Sequence, residues 1–222
     1  MDPAMIITID GPAASGKGTA ASGLAARLGF DYLDTGAMYR AVALALQRAG
    51  IAWNDIARIE ATLPHIHIHM PPGQVLLNDD DVTQAIRTTD VSQGASKVAI
   101  IPAVRRYLIQ QQRQIAGDRN IVCEGRDQGS VVFPKARVKF FMTADVKVRA
   151  ERRYRELVAR GSATTLQQVL DDLIERDRRD SQPEGGLKQP RDAIVIDTTN
   201  LSPDEVVNQM EREVRKCLPD RI

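Results

Sequence analysis

The stretch Ile6–Thr19 constrains this chain more than any other. Ile6, Ile7, Thr8 and Ile9 form an apolar, β-branched run that reads as a buried strand, and Asp10-Gly11 ends it in a turn. Small residues follow. Gly11, Gly16 and Gly18 let the backbone wrap closely enough for successive N–H groups to face a phosphate, and the next helix adds its positive N-terminal end. Lys17 supplies a point charge, and the spacing Gly11-x4-Gly16-Lys17 is that of a phosphate-binding P-loop. One departure is plain: Gly18 follows the lysine where a hydroxyl is usual, and Thr19 comes a place later. That shift argues against direct magnesium ligation by the hydroxyl. The flanking strand, and a helix with Ala20, Ala21, Leu24, Ala25 and Leu28 on one face, favour a phosphate loop over a mere Gly-rich turn.

The rest of the chain alternates strands and helices at the spacing of a parallel α/β sheet. Strands are expected at Phe30–Asp34, Asn120–Cys123, Val138–Met142 and Ala193–Asp197, with helices from Gly36 to Gly50, from Ser96 to Ile101, a second stretch from Pro102 through Gln112, then across 145–160, from Thr165 to Asp180, and after Ser202. Ligands of such sheets bind beyond the carboxyl ends of the strands, which assigns Asp34, Thr35, Arg40, Arg126 and Asp127 to the functional edge. Asp34 and Thr35 are equally explained as helix caps. Residues 64–88 break the pattern: His65-Ile66-His67-Ile68-His69 alternates, Pro71-Pro72-Gly73 turns, and Gln74–Leu77 leads into Asn78-Asp79-Asp80-Asp81. A small antiparallel insert fits, its histidines a solvated strand face rather than metal ligands and its aspartates a polar turn rather than a calcium loop.

At 222 residues, 43% hydrophobic and 27% charged, one domain with lobes is the expectation, with residues 145–182 as a helical lid. A net charge of +1 and 4% aromatics leave little to hold or stack a nucleic acid. Two cysteines give neither disulfide framework nor metal spacing, and no apolar run approaches a membrane span. A cytoplasmic protein is expected.

The lid helix pairs part of its charge locally, Asp145 with Arg149, Glu151 with Arg155 and Glu156 with Arg160, leaving Arg152 and Arg153 in excess. In the next helix Leu166, Val169, Leu170, Leu173 and Ile174 form an apolar stripe that continues into Asp177 and Asp180. Charges prolonging a buried face need partners, so Arg176, Asp177, Arg179 and Asp180 read as part of a site. Arg40, Arg105, Arg126, Arg152, Arg153, Arg176 and Arg179 exceed what one triphosphate requires, which suggests two phosphorylated substrates and phosphoryl transfer. No Ser/His/Asp set competes.

Taken together, Gly11–Thr19, Leu33-Asp34-Thr35-Gly36-Ala37-Met38-Tyr39-Arg40, Gly125-Arg126-Asp127 and Ile196-Asp197-Thr198-Thr199 resemble the bacterial cytidylate kinases over essentially the whole chain. The Gly18-Thr19 ending is usual among nucleoside monophosphate kinases. The resemblance implies a P-loop three-layer α/β sandwich with a five-stranded parallel sheet. It also implies a monomer that phosphorylates CMP and dCMP with ATP and Mg2+. ATP would meet Gly11, Pro12, Ala13, Ala14, Ser15, Gly16, Lys17, Gly18 and Thr19, with Arg149, Arg152 and Arg153 closing over it. Thr35, Ser96, Arg105 and Asp127 would read the acceptor nucleotide, Arg40 and Arg126 hold its phosphate, and Asp180 touch the ribose. Lys17, Arg126 and Arg176 would serve the transfer itself. Pro183 stands where the family commonly has a sugar-contacting arginine, with Lys188 and Arg191 as candidate substitutes. The rival readings are a P-loop kinase for UMP or for an alcohol such as shikimate, with Asp34 as its base, and a nucleic-acid-binding module.

Overall fold

The computed structural model describes residues 4–182 and 186–217. Residues up to Tyr32 together with those from Asp118 onward form one compact unit, and Leu33–Gly117 form a second.

The first unit is built on a parallel sheet. Its strands are β1 (Ile6–Asp10), β2 (Asp31–Asp34, within which the chain leaves the unit), and then, past the second unit with its strands β3 to β5, β6 (Ile121–Gly125), β7 (Val138–Thr143) and β8 (Ile194–Asp197). The order across the sheet is β2-β6-β1-β7-β8. Parallel registers set Asp10 beside Gly125 on one side and beside Phe141 on the other. Strands buried on both faces are largely apolar, and Ile7, Ile9, Val122 and Phe140 are fully enclosed; Thr8 and Asp10 are the buried polar residues of β1. Two helices, α1 (Lys17–Leu28) and α8 (Pro203–Cys217), join this core through Ala21, Leu24, Val207, Met210 and Val214. Gly23 is the point of closest approach, for a Cβ there would lie 3.0 Å from Val207. Ser202 and Glu205 cap α8 reciprocally, the Ser202 N–H donating to the carboxylate at 2.8 Å.

Helices α6 (Val146–Ala159) and α7 (Leu166–Asp180) pack on each other and on the phosphate loop through Ala13, Ala150, Val169 and Leu173. Asp145 does not pair with Arg149 as helix spacing suggests. Its carboxylate accepts the Lys147 N–H at 2.8 Å as the N-cap of α6, since an unpaired first-turn amide outbids a side chain that has a better partner. The Glu151–Arg155 and Glu156–Arg160 pairs are formed, at 3.2 and 2.7 Å.

In the second unit α2 (Thr35–Arg48) packs on α4 (Thr89–Val98), with α3 (Ile56–Thr62) and α5 (Pro102–Ala116) beside them. Asp34 caps α2 by accepting the Ala37 N–H at 2.8 Å. The insert is a three-stranded antiparallel sheet of β3 (Ile68–His69), β4 (Leu76–Leu77) and β5 (Asp80–Asp81). It departs from the sequence reading at two points. Pro64 closes a short 3-10 turn, Leu63–His65, so the histidine strand starts only at Ile68. The acidic run is itself half strand: Asn78 and Asp79 take positive φ (49° and 69°) as a two-residue hairpin turn, and Asp80 pairs with Leu77. Ile66 and Ile68 are buried while His65, His67 and His69 face out.

Candidate active site

At the carboxyl end of β1 the backbone turns under steric necessity. Gly11 takes φ 150°, and a Cβ on it would lie 2.2 Å from the Met142 carbonyl oxygen. Ala14 (φ 58°) and Gly16 (φ 89°) bend the loop further in the left-handed region. Gly16 leads into α1 without any side-chain cap, which leaves the first-turn amides without a side-chain acceptor. Lys17 is 5% exposed, and its Nζ donates to the Pro12 carbonyl of the same loop at 2.7 Å. Burial, with the neighbouring Arg126 next in weight, brings its pKa from 10.5 down to about 7; Arg176 acts in the same direction, against Glu124 and Asp10. Lys17, Arg126 and Arg176 therefore form one cationic cluster.

Several residues of this unit act by holding others. Arg149 is buried, donating to the Ala13 carbonyl at 3.1 Å, to Ala144 at 3.0 Å, and to both oxygens of Asp177 at 3.2 and 2.6 Å. Arg152 donates to the hydroxyl and carbonyl of Thr198, and the Thr198 hydroxyl lies 3.1 Å from the Ser15 carbonyl. Arg153 pairs with Glu156 at 2.8 Å. Arg126 donates through Nε to Asp180 at 2.8 Å, and Arg176 lies 3.9 Å from the same oxygen. Arg179 is not part of this group, since it turns to Glu175 at 3.5 Å on the exposed side of α7. Pro183 lies outside the described residues, whereas the Lys188 N–H donates to the Arg126 carbonyl at 3.3 Å.

Asp127 is 5% exposed at the end of the turn after β6. Residues Gln128–Val132 continue as a single π-helical turn, which periodicity does not reveal. Its first two amides meet a residue that reads in the sequence only as a turn signal. Asp10, wholly buried, accepts the Gln128 N–H on Oδ1 and the Gly129 N–H on Oδ2, both at 2.8 Å.

The remaining expected residues lie in the second unit. Thr35 opens α2 and is buried, and Arg40 donates to Asp34 at 2.8 Å. Asp34 thus places one oxygen on Arg40 and the other on the Ala37 N–H. Ser96 on α4 donates to the Ser92 carbonyl at 3.4 Å, and Arg105 on α5 to the Ala99 carbonyl at 3.4 Å.

No group of three or more His, Cys, Asp or Glu side chains among the described residues is arranged to hold a metal ion. No described helix is long and apolar enough to cross a membrane. In fold the chain is similar to a gluconokinase from Sinorhizobium meliloti (TM-score 0.51, 14% identity, 96% of this chain and 93% of the other). A shikimate kinase from Bacteroides thetaiotaomicron aligns comparably (TM-score 0.50, 9% identity, 95% and 98%). In sequence it is 46% identical over 209 residues to a cytidylate kinase of Chromobacterium violaceum, covering 92% of this chain and 93% of the relative. It is also 42% identical over 217 residues to that of Neisseria gonorrhoeae, covering 97% and 100%. The family model described as cytidylate kinase matches residues 7–216, and the chain belongs to the cytidylate kinase family.

Proposed function

We propose that this chain transfers the γ-phosphoryl group of ATP to CMP and dCMP, giving the diphosphate and ADP, and that it works as a monomer in the cytoplasm. The observation that carries this is the buried Lys17 of a Gly-rich loop ahead of α1, its Nζ on the Pro12 carbonyl at 2.7 Å, with Arg126 and Arg176 both drawn to Asp180. Phosphoryl transfer asks for positioning and for neutralisation of charge on the transferring group, with little covalent work. A lysine whose proton is loosely held regains its full charge when a polyphosphate binds beside it. Its Nζ then exchanges the Pro12 carbonyl for a phosphoryl oxygen.

The acceptor is itself an anionic phosphate, so its oxygen attacks without a general base. Arg126 and Arg40 are assigned to the acceptor phosphate and Arg176 to the junction of the two phosphates. Thr35, Ser96, Arg105 and Asp127 are assigned to the nucleoside, with Asp127 accepting from the cytosine amine that uracil lacks, and Asp180 to the ribose. Arg149 and Arg152 serve the donor side indirectly, through the Ala13 carbonyl and through Thr198, while Arg153 keeps the lid role.

Oxygen groups near the loop suit a hard cation that brings most of its own ligands: Thr19 is exposed, and the Glu124 carboxylate is 3.6 Å from where a Gly18 Cβ would sit. Mg2+ bound with ATP supplies charge neutralisation at the phosphate oxygens. A coupled assay with CMP, dCMP, UMP, AMP and shikimate tests the proposal. CMP and dCMP are expected to turn over, and absence of turnover with any pyrimidine monophosphate would reject it.

A further inference from the structure

We infer that Asp10 is a positioning residue for the acceptor: by holding the Gln128 and Gly129 amides, its carboxylate fixes the turn from which Arg126 and Asp127 act. The inference rests on the reading of the chain as a CMP kinase and adds to it a residue that touches neither substrate.

The geometry is a two-point clamp. Each carboxylate oxygen takes one N–H at 2.8 Å, and the two donors are consecutive residues. Only a group with two acceptors at that spacing satisfies both amides; a side-chain amide would set its own NH2 against one of them. Asp10 stands opposite Gly125 in the sheet, at the base of the turn it holds, and is followed directly by Gly11 of the phosphate loop. One side chain thus references the acceptor-reading turn to the donor-phosphate loop. Thr8, two residues earlier on the same strand, allows no slack, because a Cβ on Gly129 would come within 2.7 Å of its hydroxyl. Burial raises the Asp10 pKa to about 6, with Asp127 adding to the rise and both amides and Lys17 opposing it. The fold keeps a carboxylate where a neutral side chain would be easier to bury.

The test is steady-state kinetics of the full chain with Asp10→Asn and, separately, Gly129→Ala, which pushes the same turn off β1 and leaves the carboxylate in place. Each variant is expected to raise the KM for CMP about tenfold and to cut the CMP-to-UMP ratio of kcat/KM by a similar factor, with the KM for ATP within about twofold of wild type. A KM for ATP rising in step with that for CMP, or an unchanged CMP-to-UMP ratio in a folded variant, would overturn the inference. Should neither variant fold, amide exchange in the wild-type chain decides: Gln128 and Gly129 are expected to slow with CMP and not with a non-hydrolysable ATP analogue. Equal slowing by both ligands counts against the clamp. Failure of the wild-type chain to phosphorylate CMP would instead reject the functional reading, whatever the variants do.

Discussion

Arg126 Nε donates to Asp180 Oδ2 at 2.8 Å, joining the turn after β6 to the last turn of α7, with both side chains about four-fifths buried (22% and 16% exposed). Arg176 approaches the same oxygen at 3.9 Å, so one carboxylate restrains two of the three cations of the site.

This arrangement separates two roles for Asp180. If it acts mainly by aiming Arg126, Asp180→Asn lowers kcat/KM for CMP and dCMP by the same factor, about tenfold or more, because a largely buried guanidinium loses its charged partner. A ribose contact alone would penalise the two substrates unequally. Parallel kinetics with both nucleotides read the difference directly.

Lys17 connects protonation to donor binding. With its pKa near 7, the side chain is largely neutral at pH 8, and polyphosphate binding restores the charged form. ATP binding at pH 8 is therefore expected to take up close to one proton. Affinity should fall, by at most about tenfold per unit, as pH rises above 7. Calorimetry in buffers of different ionisation enthalpy measures the uptake. Lys17→Ala should abolish it and lower kcat by about 10²–10³-fold.

Asp127 carries the preference for cytosine in the proposed assignment. Asp127→Ala is expected to lower kcat/KM for CMP and leave that for UMP nearly unchanged, narrowing the ratio by about one to two orders of magnitude. Competition assays with mixed CMP and UMP check this, and a variant keeping full selectivity would move base recognition elsewhere.

Gly11 admits no side chain. A Cβ would sit 2.2 Å from the Met142 carbonyl, and backbone on the neighbouring strand yields far less readily than a flexible side chain. Gly11→Ala should destabilise the fold by about 3 kcal/mol or more and lower Tm by roughly 10 °C, read by calorimetric unfolding.

The local rules of the chain settled most of its elements before any coordinate was needed. Ile6–Asp10 read as a buried strand because it is β-branched and largely apolar up to Asp10, and the glycines and lysine after it have the spacing of a phosphate loop. The Ser202–Glu205 cap of α8 was legible because its partners lie within one helical turn, whereas the stripe of α7 held only in part: Val169 and Leu173 are buried, but Leu166 and Ile174 stand exposed. Tertiary structure decided which charges meet. Arg149 had a plausible partner four residues away in Asp145 and found Asp177, 28 residues on, together with Ala13, 136 residues back. Asp10 read as a turn signal, yet its partners Gln128 and Gly129 follow more than a hundred residues later, and Thr198 reaches Ser15 across 183 positions. A carboxylate or guanidinium carries no sequence mark of its distant partner, because the strand order β2-β6-β1-β7-β8 brings such groups together only after the sheet has formed.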